Sequence, residues 1–285
     1  MDKKNKKSMR MTTILLKTFS LVGLLIAFSC TPDETQVVTE FQDLVFYDEF
    51  DTDGLINPDI WGLSDGTGTD GWGNNELQYY TDRTENASVR KGILTIKAVE
   101  EDFSGAAYTS ARLSTKGLKE QKYGRFEARI KLPTGQGIWP AFWLLGANNG
   151  DGTNGTEIWP NSGEIDIMEY RGQAPTIIHG SLHGPGYSAA NPITKSYALE
   201  NDRFDNDFHI FGIEWTASYI NYYVDDVLYN QITREQVEEK GVWVFDQPFF
   251  IMINLAVGGD FVGAPNNETV FPQTMLVDYV RVYKK

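Results

Sequence analysis

Glu164, Asp166 and Glu169 stand within six residues of one another, in Gly163-Glu164-Ile165-Asp166-Ile167-Met168-Glu169-Tyr170. Two carboxyl groups held about 5–5.5 Å apart can cleave a glycosidic acetal by double displacement, one as nucleophile and one as acid/base. Crowded acids also push their pKa values apart, which suits one ionised and one protonated partner. The acids alternate with large apolar residues as on a strand, where positions i and i+2 share a face. Glu164 and Asp166 therefore point one way, and Ile165 and Ile167 the other. Glu169, five positions from Glu164, has the wrong parity. A β-bulge at Ile167-Met168 would add one residue and return Glu169 to the acidic face. Curvature of the sheet must then bring the Glu164 and Glu169 carboxyls together. The competing reading is a strand whose polar face simply meets solvent.

Aromatic residues flank these acids. Gly137-Ile138-Trp139-Pro140-Ala141-Phe142-Trp143 lies upstream, and Trp159-Pro160 lies just before the cluster. Flat indole faces suit the C–H faces of pyranose rings, whereas any one tryptophan is more often core. Trp143, followed by Leu144-Leu145, reads as a packing residue. Trp159, close to the acids, reads as a sugar platform.

The elements that must position these groups read as β. Phe126, Ala128, Ile130 and Leu132 alternate with Glu127, Arg129 and Lys131, a half-buried strand. Ile93 to Ile96 follows the turn residue Gly92. Tyr219 to Tyr229 reads as a hairpin turning at Asp225-Asp226. Phe249 to Val257 is apolar except for Asn254 and predicts a strand buried on both faces. Leu276 to Tyr283 closes the chain, and only Arg234 to Lys240 has helical composition. Gly, Asn, Asp and Pro clusters at 64–75, 147–155 and 258–267 separate the strands. The pattern predicts an all-β antiparallel β-sandwich or jelly roll, as one domain over 41–285.

Composition narrows the class further. The 285 residues are 41% hydrophobic, enough for a sizeable core and unlike a disordered chain. One cysteine excludes an internal disulfide framework and a cysteine-based zinc cluster. A formal charge of −14 argues against a nucleic-acid partner. The amino terminus has a basic start (Lys3, Lys4, Lys6, Lys7, Arg10) and an apolar run, densest from Phe19 to Phe28, ending at Ser29-Cys30. These are the parts of an export signal. Ala27-Phe28-Ser29-Cys30 resembles a bacterial lipobox, with Phe28 a bulky departure. Residues 1–29 are thus expected to be a lipoprotein signal peptide, Cys30 the lipidated residue and 30–40 an acidic tether. The expected location is the outer membrane or cell surface, with membrane contact only through the lipid anchor. Asp33-Glu34 resembles the acidic surface-export signal of some Bacteroidetes lipoproteins. Residues 1–29 hold six basic residues and one acid, so their removal takes the charge from −14 by 5 to −19.

Several motifs in order resemble one family. Glu-Ile-Asp-Ile-Met-Glu at 164–169 is similar to the signature of glycoside hydrolase family sixteen in its bulged form. Tyr47-Asp48-Glu49-Phe50 resembles its opening, and Trp72-Gly73-Asn74-Asn75-Glu76-Leu77-Gln78-Tyr79-Tyr80-Thr81 a loop of its laminarinase members. Trp139 to Leu145, Asn254-Leu255-Ala256-Val257-Gly258-Gly259 and Val277 to Tyr283 resemble three of its strands.

The resemblance implies a jelly roll whose concave face holds a β-glucan. It implies Glu164 as nucleophile, Glu169 as acid/base and Asp166 tuning the nucleophile, in a retaining double displacement without a catalytic cofactor. Substrate contacts would come from Trp72, Asn75, Glu76, Arg112, Trp139, Trp159, His183 and Asn254. Read alone, Asn75 and Glu76 serve equally as turn chemistry, Arg112 as a surface charge and His183 as a packing histidine beside Gly184-Pro185-Gly186. His179 and His183 share a strand parity, but no third metal ligand is evident. The resemblance also implies a structural Ca²⁺ held by Glu49, the Gly92 carbonyl and Asp278, whose bland reading is a strand-edge acid. The expected activity is endo-hydrolysis of β-1,3-glucan of the laminarin type, extending to mixed-linkage β-1,3-1,4-glucan, by a monomer. The alternatives are a non-catalytic glycan-binding surface lipoprotein, or a hydrolase of another polysaccharide such as agarose. Sulfated substrates would want cleft arginines or lysines, which a charge of −19 does not favour.

Overall fold

The computed structural model describes residues 40–150 and 156–285. The expected signal, Cys30 and nearly all of the tether lie outside them. The described residues belong to one compact unit.

Two sheets carry the fold. One runs in the order Val227–Thr233, Tyr219–Val224, His209–Trp215, Gly124–Lys131, Gln273–Lys284, Ile93–Phe103, Ala106–Ser110 and Gln78–Tyr80. The other runs Ile193–Ala198, Ile177–His183, Glu164–Tyr170, Ile138–Gly146, Phe249–Val257, Arg112–Ser114 and Gly62–Leu63. Neighbours are antiparallel except Gln78–Tyr80, which runs parallel to Ala106–Ser110. The core lies between the sheets, where Phe126 and Ile213 of the first pack in one cluster with Phe142, Ile165 and Ile253 of the second. Antiparallel strands sealed face to face make the expected all-β jelly-roll sandwich.

Local chemistry explains the elements. Phe126, Ala128 and Ile130 are fully buried, as their alternation requires. Arg125 and Glu127, of the other parity, lie on the opposite face and are buried against each other by a 2.7 Å ion pair. The Tyr219 hairpin does turn at Asp225-Asp226. Both take the left-handed conformation (φ 49 and 64) that a two-residue hairpin turn demands and that aspartate tolerates. The helix is shorter than its composition suggested, Arg234–Glu238, and begins at a capping box formed by Thr233 and Gln236.

The Phe249–Val257 strand holds the centre of the second sheet, and all nine of its residues are buried. One face packs into the sandwich. The other, carrying Asn254, floors the cleft, so the single polar residue in the apolar run marks the functional side.

Candidate active site

The acidic strand, Glu164–Tyr170, is fixed between Ile138–Gly146 and Ile177–His183. Against the former, Leu145 faces Glu164, Trp143 faces Asp166, Phe142 faces Met168 and Ala141 faces Glu169. Ile167 has no opposite number, and the register shifts there on both sides. The bulge expected from parity is therefore present at Ile167-Met168. Both bulge residues turn inward, Ile167 1% and Met168 0% exposed. Glu164, Asp166 and Glu169 consequently share the cleft face.

His183 is the cross-strand partner of Glu164. Its Nε2 lies 3.1 Å from Asp166 Oδ2 and 3.8 Å from Glu164 Oε1. Glu164 keeps 18% of its side chain exposed and Asp166 only 5%. Both carboxyls are therefore poorly solvated, and this dominates their titration. Burial pushes the Glu164 carboxyl up to about 8, helped by Asp166 and opposed by His183. Burial likewise pushes Glu169 up to about 8, with Asp166 adding to the rise and His183, the Trp139 indole and Arg171 opposing it. Asp166 also rises to about 8 through burial. Three acids so placed cannot all ionise together, which leaves a proton for a leaving group and a charge for attack.

This arrangement on this fold can be compared with known proteins. The sequence pattern described as glycosyl hydrolases family 16 matches residues 72–281. A beta-glucanase of Rhodothermus marinus is 41% identical over 97% of both chains. This chain belongs to glycosyl hydrolase family 16. Among solved structures, the catalytic domain of an endo-1,3-beta-glucanase (laminarinase) from Thermotoga petrophila RKU-1 is similar, with a TM-score of 0.81 and 47% identity, covering 87% of this chain and 99% of that one. The endo-1,3-1,4-beta-glycanase EglC of Rhizobium meliloti is 33% identical over 81% of this chain and 48% of its own length.

The cleft of this family 16 hydrolase continues across the neighbouring strands. Trp143 packs, as its sequence context suggested, but against Leu145, Phe250 and Met252 on the cleft side and not in the main core. It shares the face of Asp166, is only partly buried, and its indole N–H donates to Asn254 Oδ1 at 2.8 Å. Asn254 Nδ2 donates to the Tyr80 hydroxyl at 3.2 Å, and that hydroxyl donates to Glu76 Oε2 at 3.0 Å. Gln78 Nε2 adds a 2.7 Å bond to the same Glu76 oxygen. Burial raises the Glu76 pKa, against the pull of these donors and of Arg112. Arg112, beside Asn254 in the register, lays its guanidinium over Trp72 at 4.6 Å and Trp143 at 5.1 Å. Glu76, Arg112, Trp72 and Asn254 are thus brought together on the Glu164 side, and the surface-charge reading of Arg112 is excluded by its packing.

The other expected contacts divide. Trp159 is 38% exposed with its ring 6.0 Å from His183, open to a ligand. Trp139 is buried on the Glu169 side, its ring 5.1 Å from Phe261. Asn75 follows its turn chemistry: it has φ 55, and its side-chain amide donates to both Asp260 oxygens at 3.0 and 3.1 Å. Tyr80, Phe261 and Arg171 were not singled out from sequence. Tyr80 had the right signal, standing in the same loop motif as Glu76, whereas the other two sit next to the site only after folding.

The donors for a metal can also be located. Ligand atoms of Glu164, Asp166 and His183 lie within 4.8 Å of one another, but the first two are acids of the catalytic strand and His183 is the histidine packed across from them. His179 makes no metal pair with His183. Its Nδ1 is 2.9 Å from Ser196 Oγ and its Nε2 is 3.4 Å from Arg171. For calcium, the registers bring Asp48 opposite Val280 and Leu94 opposite Val277, which places Glu49 and Gly92 near Asp278. The two carboxylates are nevertheless engaged with arginines. Glu49 pairs with Arg281 through two bonds of 2.7 and 2.9 Å, and Asp278 with Arg129 at 2.7 Å.

Proposed function

We propose that this glycoside hydrolase is a retaining endo-β-1,3-glucanase acting on laminarin-type glucans, with mixed-linkage β-1,3-1,4-glucan as a second substrate. The observation that carries this reading is the bulge that puts Glu164, Asp166 and Glu169 on one cleft face. The names of the similar endo-1,3-beta-glucanase and endo-1,3-1,4-beta-glycanase support the linkage.

In the first step Glu164 attacks the anomeric carbon while the bond to the leaving oxygen breaks. Glu169 gives its proton to that oxygen. In the second, water attacks the same carbon, Glu169 takes the water's proton, and the bond to Glu164 breaks. Asp166, with His183 3.1 Å away, holds the charge balance beside the nucleophile. Glu76 and Arg112 bind hydroxyls of the sugar bound next to Glu164, and Trp159 supplies an apolar platform. No step uses a cation. A calcium ion at Glu49, Gly92 and Asp278 would have to displace Arg281 and Arg129 from the carboxylates. Export as a lipoprotein anchored at Cys30 is proposed on the signal-like amino terminus, and monomeric action on the self-contained cleft. Cys30→Ala should move the protein into the soluble fraction, and unchanged membrane association would count against the anchor.

The test of function is an activity panel over laminarin, lichenan, agarose and carrageenan, with Glu164→Ala as control. Hydrolysis of laminarin first, giving the β-anomer first by NMR, is expected. An initial α-anomer would remove the double displacement, and hydrolysis of agarose alone would move the enzyme to another substrate. Binding of laminarin with no hydrolysis would leave a glycan-binding protein.

A further inference from the structure

Buried cations are normally paired with carboxylates, because desolvating a lone charge is costly. Among the described residues, Arg83, Arg125, Arg129, Arg203, Arg234 and Arg281 each have a carboxylate within 4.0 Å. Arg90 is exposed. That leaves Arg112 and Arg171, both partly buried, neither with such a partner. In each, the Nε–H is shut off from water and has no acceptor. Each guanidinium instead lies over aromatic rings, Arg112 over Trp72 and Trp143, Arg171 over Phe261 at 4.6 Å. The two flank the acid cluster from opposite ends.

Arg171 is placed by the acidic strand itself. Side chains at i and i+2 share a face, so the cleft face reads Glu164, Asp166, Glu169, Arg171 in that order, the bulge absorbed between the second and third. Arg171 is therefore adjacent to the acid/base and remote from the nucleophile. The surrounding groups fix it there. His179, cross-strand partner of Glu169, has its Nε2 3.4 Å from Arg171 Nη2. A guanidinium only donates, so Nε2 must accept, and the imidazole proton sits on Nδ1 facing Ser196 Oγ. Burial and the nearby Arg171 lower the His179 pKa to about 4, consistent with this neutral ring. Phe261 is wedged between Trp139, the His179 ring and the guanidinium. Nothing in this arrangement gives the guanidinium a carboxylate partner.

We propose that Arg171, braced by Phe261 and His179, binds a hydroxyl of the glucosyl unit on the leaving-group side of the scissile bond. This rests on the assignment of Glu169 as acid/base, since the proton it gives marks where the leaving sugar lies. Arg112 does the same on the opposite side. The acid pair is then bracketed by two arginines that have no carboxylate partner and that meet sugar hydroxyls through their outer nitrogens.

The test compares two substrates. Laminaripentaose places glucose on both sides of the cleaved bond, whereas 2,4-dinitrophenyl β-laminaribioside has no sugar on the leaving side. Arg171→Ala should lose about 10- to 100-fold in kcat/KM on the pentaose, the range for hydrogen bonds made by a charged donor. Its loss on the aryl glycoside should be at least about tenfold smaller. Transglycosylation at high pentaose concentration, which needs an acceptor sugar in the same place, should fall with it. Arg112→Ala should lower both substrates alike. Arg171→Lys, which keeps the charge and the packing stem, guards against misfolding and should show the same selectivity in weaker form. Equal losses of Arg171→Ala on the two substrates, or no loss on either, would overturn the proposal. If the wild type cleaves neither laminari-substrate, it is the β-1,3-glucanase reading that fails instead.

Discussion

Glu169 lies directly across the sheet from His179, and Glu164 from His183. Six residues of one strand thus match five of its neighbour. The mismatch is absorbed at Ile167-Met168, where two consecutive apolar side chains enter the core. The catalytic pair is therefore a product of strand register as much as of residue type.

Deleting Met168 would remove the extra residue and restore plain alternation. Glu169 would then stand four positions from Glu164, on the same cleft face by plain alternation, with Ile167 still turned inward. The deletion variant should therefore keep far more hydrolysis of laminarin than Glu169→Gln, for which a loss of about 10²- to 10⁴-fold is expected. Both variants are to be assayed beside circular dichroism. Activity in the deletion variant as low as in Glu169→Gln would show that parity alone does not set the position of the acid.

The acid cluster should make the fold less stable as pH rises. Unfolded, these carboxyls titrate at about 4; folded, burial holds their protons up to about 8. Between those values the unfolded chain binds fewer protons, so stability falls with rising pH and levels off above about 8. Asp166→Asn should accordingly gain Tm over the wild type at pH 7.5 and lose that advantage near pH 4. A difference that does not vary with pH would contradict the proton accounting.

Gly163 precedes the nucleophile with φ +74, and an added Cβ would meet Val244 Cγ2 at 2.9 Å and Phe249 Cζ at 3.0 Å. Gly163→Ala combines left-handed strain of about 1–2 kcal/mol with this overlap. For a domain of this size, Tm should fall by roughly 4–8 °C. Because the displaced residue is next to Glu164, kcat should fall with it. A normal Tm measured by calorimetry would show that the turn relaxes at no cost.

Trp159, at 38% exposed, is expected to act by contact with substrate alone. Trp159→Ala should raise KM for laminarin about 3- to 10-fold, the scale of one aromatic contact, with kcat nearly unchanged and Tm unmoved. A fall in kcat without a change in KM would move the residue from binding to chemistry.

Much of this was legible in the sequence. Period-two alternation gave the strand at Gly124–Lys131, Asp225-Asp226 gave the hairpin of Tyr219–Val224 with Val227–Thr233, and the parity of Glu169 called for the bulge that is found. Trp143 packs as expected, but against Leu145, Phe250 and Met252 on the cleft face, while its neighbours Phe142 and Leu144 enter the main core; alternation separates the two faces without saying which one meets substrate. Arg171 and Phe261 carried no local signal. They are ninety positions apart and meet only because the Gly258–Gly263 turn folds back over the end of the acidic strand.

That turn is stitched to the loop at Gly71–Asn75. Asp260 N–H donates to the Asn74 carbonyl at 2.9 Å, the Asn75 amide grips the Asp260 carboxylate, and Glu76 bridges to Gly258. The loop carrying Trp72 and leading into Glu76 and the loop carrying Phe261 are therefore a single inheritable module, though nearly two hundred residues separate them. Recombination between related enzymes that exchanges one loop alone would break these joints, whereas exchanging both together would transplant the two ends of the cleft as a matched set.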